Sequence, residues 1–254
     1  VGDFVEFEYR DKKEGYILSI DGRDNQLTRP PVANVDQAII VTSVKEPDLS
    51  LNLLDKFLVL VESKAIRPLL FFTKMDLLTE QESVLIKDKL AYYKKIGYTV
   101  EFLSTKDKEV NQQLSVYLKN KVSVFAGQSG VGKTSLLNRI IPGLQLETDN
   151  ISESLGRGKH TTRHVELIPF ELGLIADTPG FSALDFKEIA LEELPSCFPE
   201  FVDLQDQCKF RGCMHIKEPK CAVKVALDQQ EILEDRYQNY LQIFEEIKNR
   251  KPRY

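Results

Sequence analysis

No apolar run in these 254 residues approaches the roughly 18–20 needed to cross a bilayer as a helix. The longest candidate, Leu49 to Val61, is interrupted by Asn52, Asp55 and Lys56, which excludes a membrane segment. The opening Val1-Gly2-Asp3-Phe4 lacks the charged start and apolar core of a signal peptide, so none is expected. It also lacks an initiating Met and reads as the middle of a strand, so an N-terminal piece is expected to be missing. Cysteine is scarce, with Cys197, Cys208, Cys213 and Cys221 alone, which argues against a disulfide-stapled secreted fold. Positive charge is not in excess either. The formal charge is −5, so nothing global announces nucleic-acid binding. The exception is the basic end Lys248-Asn249-Arg250-Lys251-Pro252-Arg253, a solvated terminus by default and a set of phosphate contacts by alternative. Internal repeats and low-complexity tracts are absent.

What is present is a change of rhythm. Residues 1–34 read as short strands joined by turns: Phe4 to Tyr9, then Tyr16 to Ile20, with Arg29-Pro30-Pro31 ending the segment stiffly. From Val35, strand and helix alternate, which predicts an α/β domain with a mostly parallel sheet covered on both faces. The strands are Ala38 to Val44, Pro68 to Phe72, Thr99 to Leu103, Val122 to Phe125, Val165 to Phe170 and Leu174 to Ala176. Ser50 can cap a helix that places Leu51, Leu54, Leu58 and Val61 on one face. Further helices are expected over about 80–96, 110–118 and 133–140, and a Gly-, Ser- and Thr-rich loop over about 145–163. After about Asp185 strands disappear, and the chain ends in a predicted helix from Asp228 to Lys248.

The strongest local signal is Gly127-Gln128-Ser129-Gly130-Val131-Gly132-Lys133-Thr134, followed by Ser135, a phosphate loop entered by a strand and left by the helix expected over 133–140. Its glycines let backbone N–H groups converge on phosphate oxygens, and the helix start adds its positive dipole end. Lys133 would bridge the β and γ phosphates, and Thr134 would hold Mg²⁺. Thr73-Lys74-Met75-Asp76 follows directly on a strand. A carboxylate at Asp76 can accept from guanine N1–H and its amino group together, and adenine offers no such pair. Ser104-Thr105-Lys106 sits after the next strand, where a backbone N–H and a small hydroxyl would contact the guanine carbonyl. Asp177-Thr178-Pro179-Gly180 closes the set, with Asp177 near the metal through water and the Gly180 N–H on the γ-phosphate. Gly156 to Arg163 has the flexibility and hydroxyls of a switch loop, with Thr162 as the residue that would complete the Mg²⁺ shell.

Order is the informative part. In ordinary GTPases the phosphate loop comes first and the base-reading motif last; here Thr73 to Asp76 and Ser104 precede Gly127. Nucleotide loops share one edge of the sheet, so a permutation can preserve the site, and it feeds Asp177 to Gly180 straight into the C-terminal segment. There Cys208, Cys213, His215 and Cys221 fall within fourteen residues. Three thiolates and one imidazole suit a tetrahedral, structural Zn²⁺, and Cys197 reads as a packed thiol. Two rivals remain: another P-loop enzyme such as a kinase or ATPase, opposed by Asp76 and Ser104, and an RNA-binding scaffold with a vestigial site, opposed by Lys133, Thr134 and Asp177.

These motifs, with Arg29 to Gln37, Gly156 to His164 and Asp177 to Phe181, resemble the circularly permuted GTPases of the small ribosomal subunit, the ribosome small subunit-dependent GTPase A family. The resemblance spans essentially the whole chain. It implies an N-terminal OB-fold β-barrel, of which residues 1–34 are the latter part, a permuted GTPase domain over 35–185, and a helical zinc-binding domain over 186–254. It implies a cytoplasmic GTP hydrolase in late maturation of the small ribosomal subunit that contacts ribosomal RNA; a monomer without membrane association is expected. The position after Gly180 is Phe181, where Ras-like enzymes place a water-orienting Gln. The family suggests His160 for that task. Slow hydrolysis by the free chain, stimulated by the subunit, is the expectation that follows.

Overall fold

The computed structural model describes residues 1–9, 15–104, 110–141, 165–170, 172–177 and 184–250, with the backbone alone at 110–113 and 177. Two antiparallel ribbons come first. Val5–Tyr9 (β1) pairs with Gly15–Ile20 (β2), and Gln26–Thr28 (β3) with Pro31–Ala33 (β4). The second ribbon corrects the reading of Arg29-Pro30-Pro31 as a mere stiff end. Pro31 opens a short strand, a position where its missing N–H costs no ladder bond. Leu27, Val32 and Ala33 of that ribbon are buried, whereas every residue of β1 and β2 is exposed.

The alternating region is built as its periodicity demands. Gln37–Ser43 (β5), Leu51–Glu62 (α1), Arg67–Thr73 (β6), Glu80–Lys95 (α2), Thr99–Phe102 (β7), Val110–Leu118 (α3), Val122–Ala126 (β8) and Lys133–Ile140 (α4) follow one another. Glu166–Phe170 (β9) and Gly173–Asp177 (β10) complete a six-stranded sheet of order β7-β6-β5-β8-β10-β9, parallel except for β9. The Ser50 hydroxyl caps α1 by accepting from the Leu53 N–H at 3.3 Å. A reciprocal Thr79–Glu82 pair caps α2, with acids in its first turn and Lys94 and Lys95 in its last, as the helix dipole favours.

Strand side chains alternate between two cores. Ala38, Ile40, Leu70, Phe72 and Val124 join one cluster with the helices α1 and α2; Ile39, Val41, Leu69, Phe71 and Phe125 join another with α3 and α4. The helix after β5 and the helix after β8 therefore lie on opposite faces. Where neighbouring strands send their helices to opposite faces, a crevice opens at their C-terminal ends, and ligands bind there.

Beyond residue 184 the described residues form three α-helices, Pro199–Val202 (α5), Ala222–Asp228 (α6) and Glu234–Lys248 (α7), with 3-10 turns at Leu191–Cys197 and Gln205–Gln207. The helix expected from Asp228 to Lys248 begins only at Glu234, and a break separates it from α6, which ends at Asp228. Gln230 adopts a left-handed conformation (φ 61°), the Glu231 N–H turns back to the Ala226 carbonyl, and Ile232 is buried by the turn. A run of polar residues at 228–231 offers no periodicity that would have announced the break.

α7 docks on α1 through a buried polar network. Arg236 is 1% exposed and donates to Asp55 Oδ1 at 2.5 Å and to Glu200 Oε1 at 2.8 Å. Asn239 and Tyr93 add bonds to Asp55 at 2.6 and 2.7 Å, and the guanidinium lies 4.4 Å from the Phe198 ring centroid. Burial pushes the Asp55 carboxyl up, against the pull of Arg236, Asn239 and Tyr93. Removing Arg236 leaves the Asp55 and Glu200 carboxylates buried without a compensating cation. Arg236→Ala is therefore expected to cost roughly 3–5 kcal/mol, read as a lowered denaturant midpoint. A midpoint within experimental error of wild type would show that the network contributes nothing net.

Candidate functional site

The phosphate-loop sequence forms the tight turn between β8 and α4. At Gly127 (φ 138°) a Cβ would come 2.1 Å from the Val41 carbonyl oxygen of β5, so only glycine lets the loop leave the sheet there. Gly132 (φ 97°) precedes α4 in the left-handed region, and its carbonyl accepts the Leu136 N–H at 2.9 Å. Val131 is buried against the α3–α4 core, which anchors the loop from below. The Lys133 ammonium donates to the Gly127 and Gln128 carbonyls at 2.7 and 2.6 Å. Burial pushes it down to about 8, so an anion beside it would be strongly favoured. Thr134 is buried in the first turn of α4, Ser135 follows it in the helix, and Gln128, Ser129 and Gly130 lie in the loop before.

Two distant motifs meet this loop. Thr73 ends β6, is fully buried, and donates its hydroxyl to the Val131 carbonyl at 2.6 Å. Lys74 takes the left-handed conformation (φ 61°) and opens the short turn Met75–Leu77, which carries Asp76. The Ser104 hydroxyl donates to Asp76 Oδ1 at 3.2 Å, although 28 residues separate them. Asp177 ends β10, two residues beyond the Ile175–Ser123 pair with β8, so its backbone lies beside the strand that feeds the phosphate loop. Thr105, His160, Thr162, Gly180, Phe181 and the rest of the 156–163 loop lie outside the described residues.

One contributor was missed at the level of sequence. The segment after β5 lines the same edge: the Glu46 carbonyl accepts the Lys74 ammonium, and Pro47 faces Gly130. Its signal was available, because Lys45-Glu46-Pro47 follows a parallel strand at the edge where such sites form.

The second cluster is Cys208, Cys213, His215 and Cys221, whose ligand atoms all lie within 4.8 Å of one another. His215 Nδ1 is 3.3 Å from Cys221 Sγ and 3.8 Å from Cys208 Sγ. Tetrahedral zinc with thiolate and imidazole ligands needs separations of about 3.6–3.8 Å, so the set fits that ion. Burial lowers His215, favouring the neutral imidazole a metal requires, and raises the Cys213 and Cys221 thiols. The supporting contacts are extensive. Glu218 accepts from the N–H groups of Met214, Ile216 and Lys217; Tyr237 and Tyr240 of α7 donate to the His215 and Met214 carbonyls. Cys197 is packed 1% exposed outside the cluster, and burial pushes its thiol up to about 12, in keeping with an inert core thiol.

Comparison with known proteins agrees with this geometry. A model of the RsgA GTPase family matches residues 20–187. A small ribosomal subunit biogenesis GTPase, RsgA 2, of Oceanobacillus iheyensis is 59% identical over all of this chain and 87% of its own length. The RsgA of a Geobacillus species is 57% identical with the same coverage. Among solved structures, YloQ, a circularly permuted GTPase, superposes with a TM-score of 0.85 at 46% identity, covering 100% of this chain and 82% of that one. YjeQ from Thermotoga maritima gives 0.85 at 40%, covering 99% and 85%. With a permuted sheet, a phosphate loop at its switch point and relatives of this identity over its whole length, the chain belongs to the RsgA family of circularly permuted GTPases.

Proposed function

We propose that this chain hydrolyses GTP during late maturation of the small ribosomal subunit, binds the subunit's ribosomal RNA, and is stimulated by the subunit. The observation that carries the nucleotide part is the Asp76–Ser104 contact, held to the phosphate loop by the Thr73–Val131 bond. A carboxylate fixed beside a phosphate loop selects guanine, because a base without paired donors would leave that charge unmatched. Thr73, Lys74, Asp76, Ser104 and Thr105 form the base side of the pocket in this reading. Gly127 to Ser135 wraps the phosphates, and Gly180 contacts the γ-phosphate. Mg²⁺, held by Thr134, Thr162 and Asp177, would neutralise phosphate charge when bound. Lys133 moves from the loop carbonyls to the β and γ phosphates, and His160 orients the attacking water.

The ribosomal part rests on the relatives, which are small ribosomal subunit biogenesis GTPases. Residues 1–34 are read as the latter part of an OB-fold, 35–185 as the GTPase domain and 186–254 as the zinc-binding domain. One structural Zn²⁺ would be held by Cys208, Cys213, His215 and Cys221. None of the described helices is long and apolar enough to cross a membrane. A cytoplasmic monomer that meets the ribosome in solution is consistent with that.

The test is single-turnover GTP hydrolysis with and without purified small subunits. Subunits are expected to raise the rate about tenfold or more by holding the attacking water in line with the γ-phosphate. Lys133→Ala is expected to lower it at least about 10² under both conditions, since it removes charge placed for the transition state. Equal wild-type rates with and without subunits would refute stimulation. His160→Ala with a full response to the subunit would clear His160 of the water-orienting role.

A further inference from the structure

Two stretches of the chain connect the sheet with the C-terminal segment, residues 44–50 by way of α1 and the described residues from 184 beside Lys56. The first is residues 44–50, between β5 and α1. Pro47 Cδ lies 3.7 Å from where a Cβ on Gly130 would stand, and the Glu46 carbonyl holds the Lys74 ammonium. The Ser43 hydroxyl fixes the Pro47 carbonyl at 2.6 Å, and the Val44 N–H bonds the Thr73 carbonyl at 3.2 Å. This segment therefore touches the phosphate loop and the base-reading turn together. It continues without a break into α1 through the Ser50 cap.

The polar side of α1 is satisfied by α7. Asn52 donates to Asn239 Oδ1 at 2.9 Å and to Gln242 Oε1 at 2.8 Å. Asp55 holds Arg236 and Asn239, and Lys56 pairs with Glu246 at 2.6 Å. The second stretch is the described chain from residue 184 onward. Phe186 is buried beside Lys56, 5.9 Å from ammonium to ring centroid, and its carbonyl accepts Arg250 at 2.7 Å. Lys56 thus stands where α1, α7 and this stretch converge.

We propose that α7 is a positioning element for the nucleotide pocket, acting through α1, with Arg236, Asn239 and Glu246 as positioning residues for nucleotide retention. The inference rests on the guanine-nucleotide reading above. A helix is stiff along its axis, and its packed interfaces shift between discrete arrangements rather than deform smoothly. Asp55 is fully buried, so α1 cannot stay in place while α7 withdraws without stranding a charge. Movement of α7 moves α1, and with it the residues that hold Lys74 and cover Gly130. The His215 loop hangs on α7 through Tyr237 and Tyr240, so a partner gripping the Cys/His cluster pulls on the pocket by this route.

The experiment measures fluorescent GDP dissociation from the full chain together with its thermal midpoint. Arg236→Ala should give the larger effect but could fail to fold, so the decisive variants lie on the exposed seam. Lys56→Glu sets like charges against Glu246 and is expected to speed GDP release about two- to fivefold, the scale of an exposed ion pair. The charge swap Lys56→Glu/Glu246→Lys is expected to restore wild-type release. A Lys56→Glu protein with a lowered midpoint and unchanged GDP release overturns the proposal, as does a swap that regains the midpoint without regaining release. A wild-type chain that binds no guanine nucleotide overturns the guanine reading itself, and this inference with it.

Discussion

Asp76→Asn is expected to lower GTP and GDP affinity by roughly 10²–10⁴ and to make xanthine nucleotides the preferred ligands. The estimate comes from one hydrogen bond to a charged acceptor lost, about 1.5–3 kcal/mol, and one donor left unsatisfied, about 1–3 kcal/mol. An asparagine keeps the size of the side chain, but one of its two oxygens becomes an NH₂ group. Guanine N1–H and its amino group then compete for a single acceptor, while xanthine presents a carbonyl that the new donor can meet. Ser104 makes a useful control. Its hydroxyl steadies Asp76 Oδ1 at 3.2 Å, so Ser104→Ala should weaken guanine binding far less and leave the base preference unchanged. Competition of GTP, XTP and ATP against labelled GDP measures both variants. Wild-type GTP affinity in Asp76→Asn would show that Asp76 does not read the base.

Zinc removal is expected to have the second large effect, this time on folding. Structural zinc in finger peptides contributes an apparent 10–16 kcal/mol, which matches or exceeds the whole stability of an ordinary domain. The elements around Cys208 to Cys221 are short: α5 has 4 residues, α6 has 7, and the rest are turns. Such pieces do not hold themselves together by helix propensity. Chelation, or Cys213→Ser, should therefore unfold residues 204–222 and loosen the docking of α7 on α1. The α3–α4 face of the sheet shares no core with that module and should keep its protection. Metal analysis should find one zinc per chain purified without chelator, and hydrogen exchange before and after chelation should map the loss. A chain without zinc, or with unchanged exchange over 204–222, would refute a structural metal.

Much of this was legible in the chain itself, for a physical reason. Strand and helix boundaries from β5 to β10 follow hydrophobic periodicity, a local property, and the structure moves them by a residue or two. The phosphate loop is local as well, since its glycines answer to backbone conformations such as φ 138° at Gly127. The four metal-ligating types are close in sequence, so their meeting within 4.8 Å needed only a turn. Motif order declared the permutation because spacing along the chain survives any folding.

The remaining features depend on partners far apart in sequence, and no local pattern encodes those. Nothing around Arg236 distinguishes it from a solvated helix arginine; it is buried because Asp55, 181 residues earlier, faces it across α1 and α7. The same holds for Thr73 on Val131, separated by 58 residues, and for Glu46 on Lys74. By itself the sequence determined the order of motifs, the sheet and the two sets of ligands. Only the tertiary structure decided that the segment after β5 lies against Lys74 and Gly130 and that α7 docks on α1 through Asp55, because a buried charge and a backbone carbonyl acquire their roles from what the fold places against them.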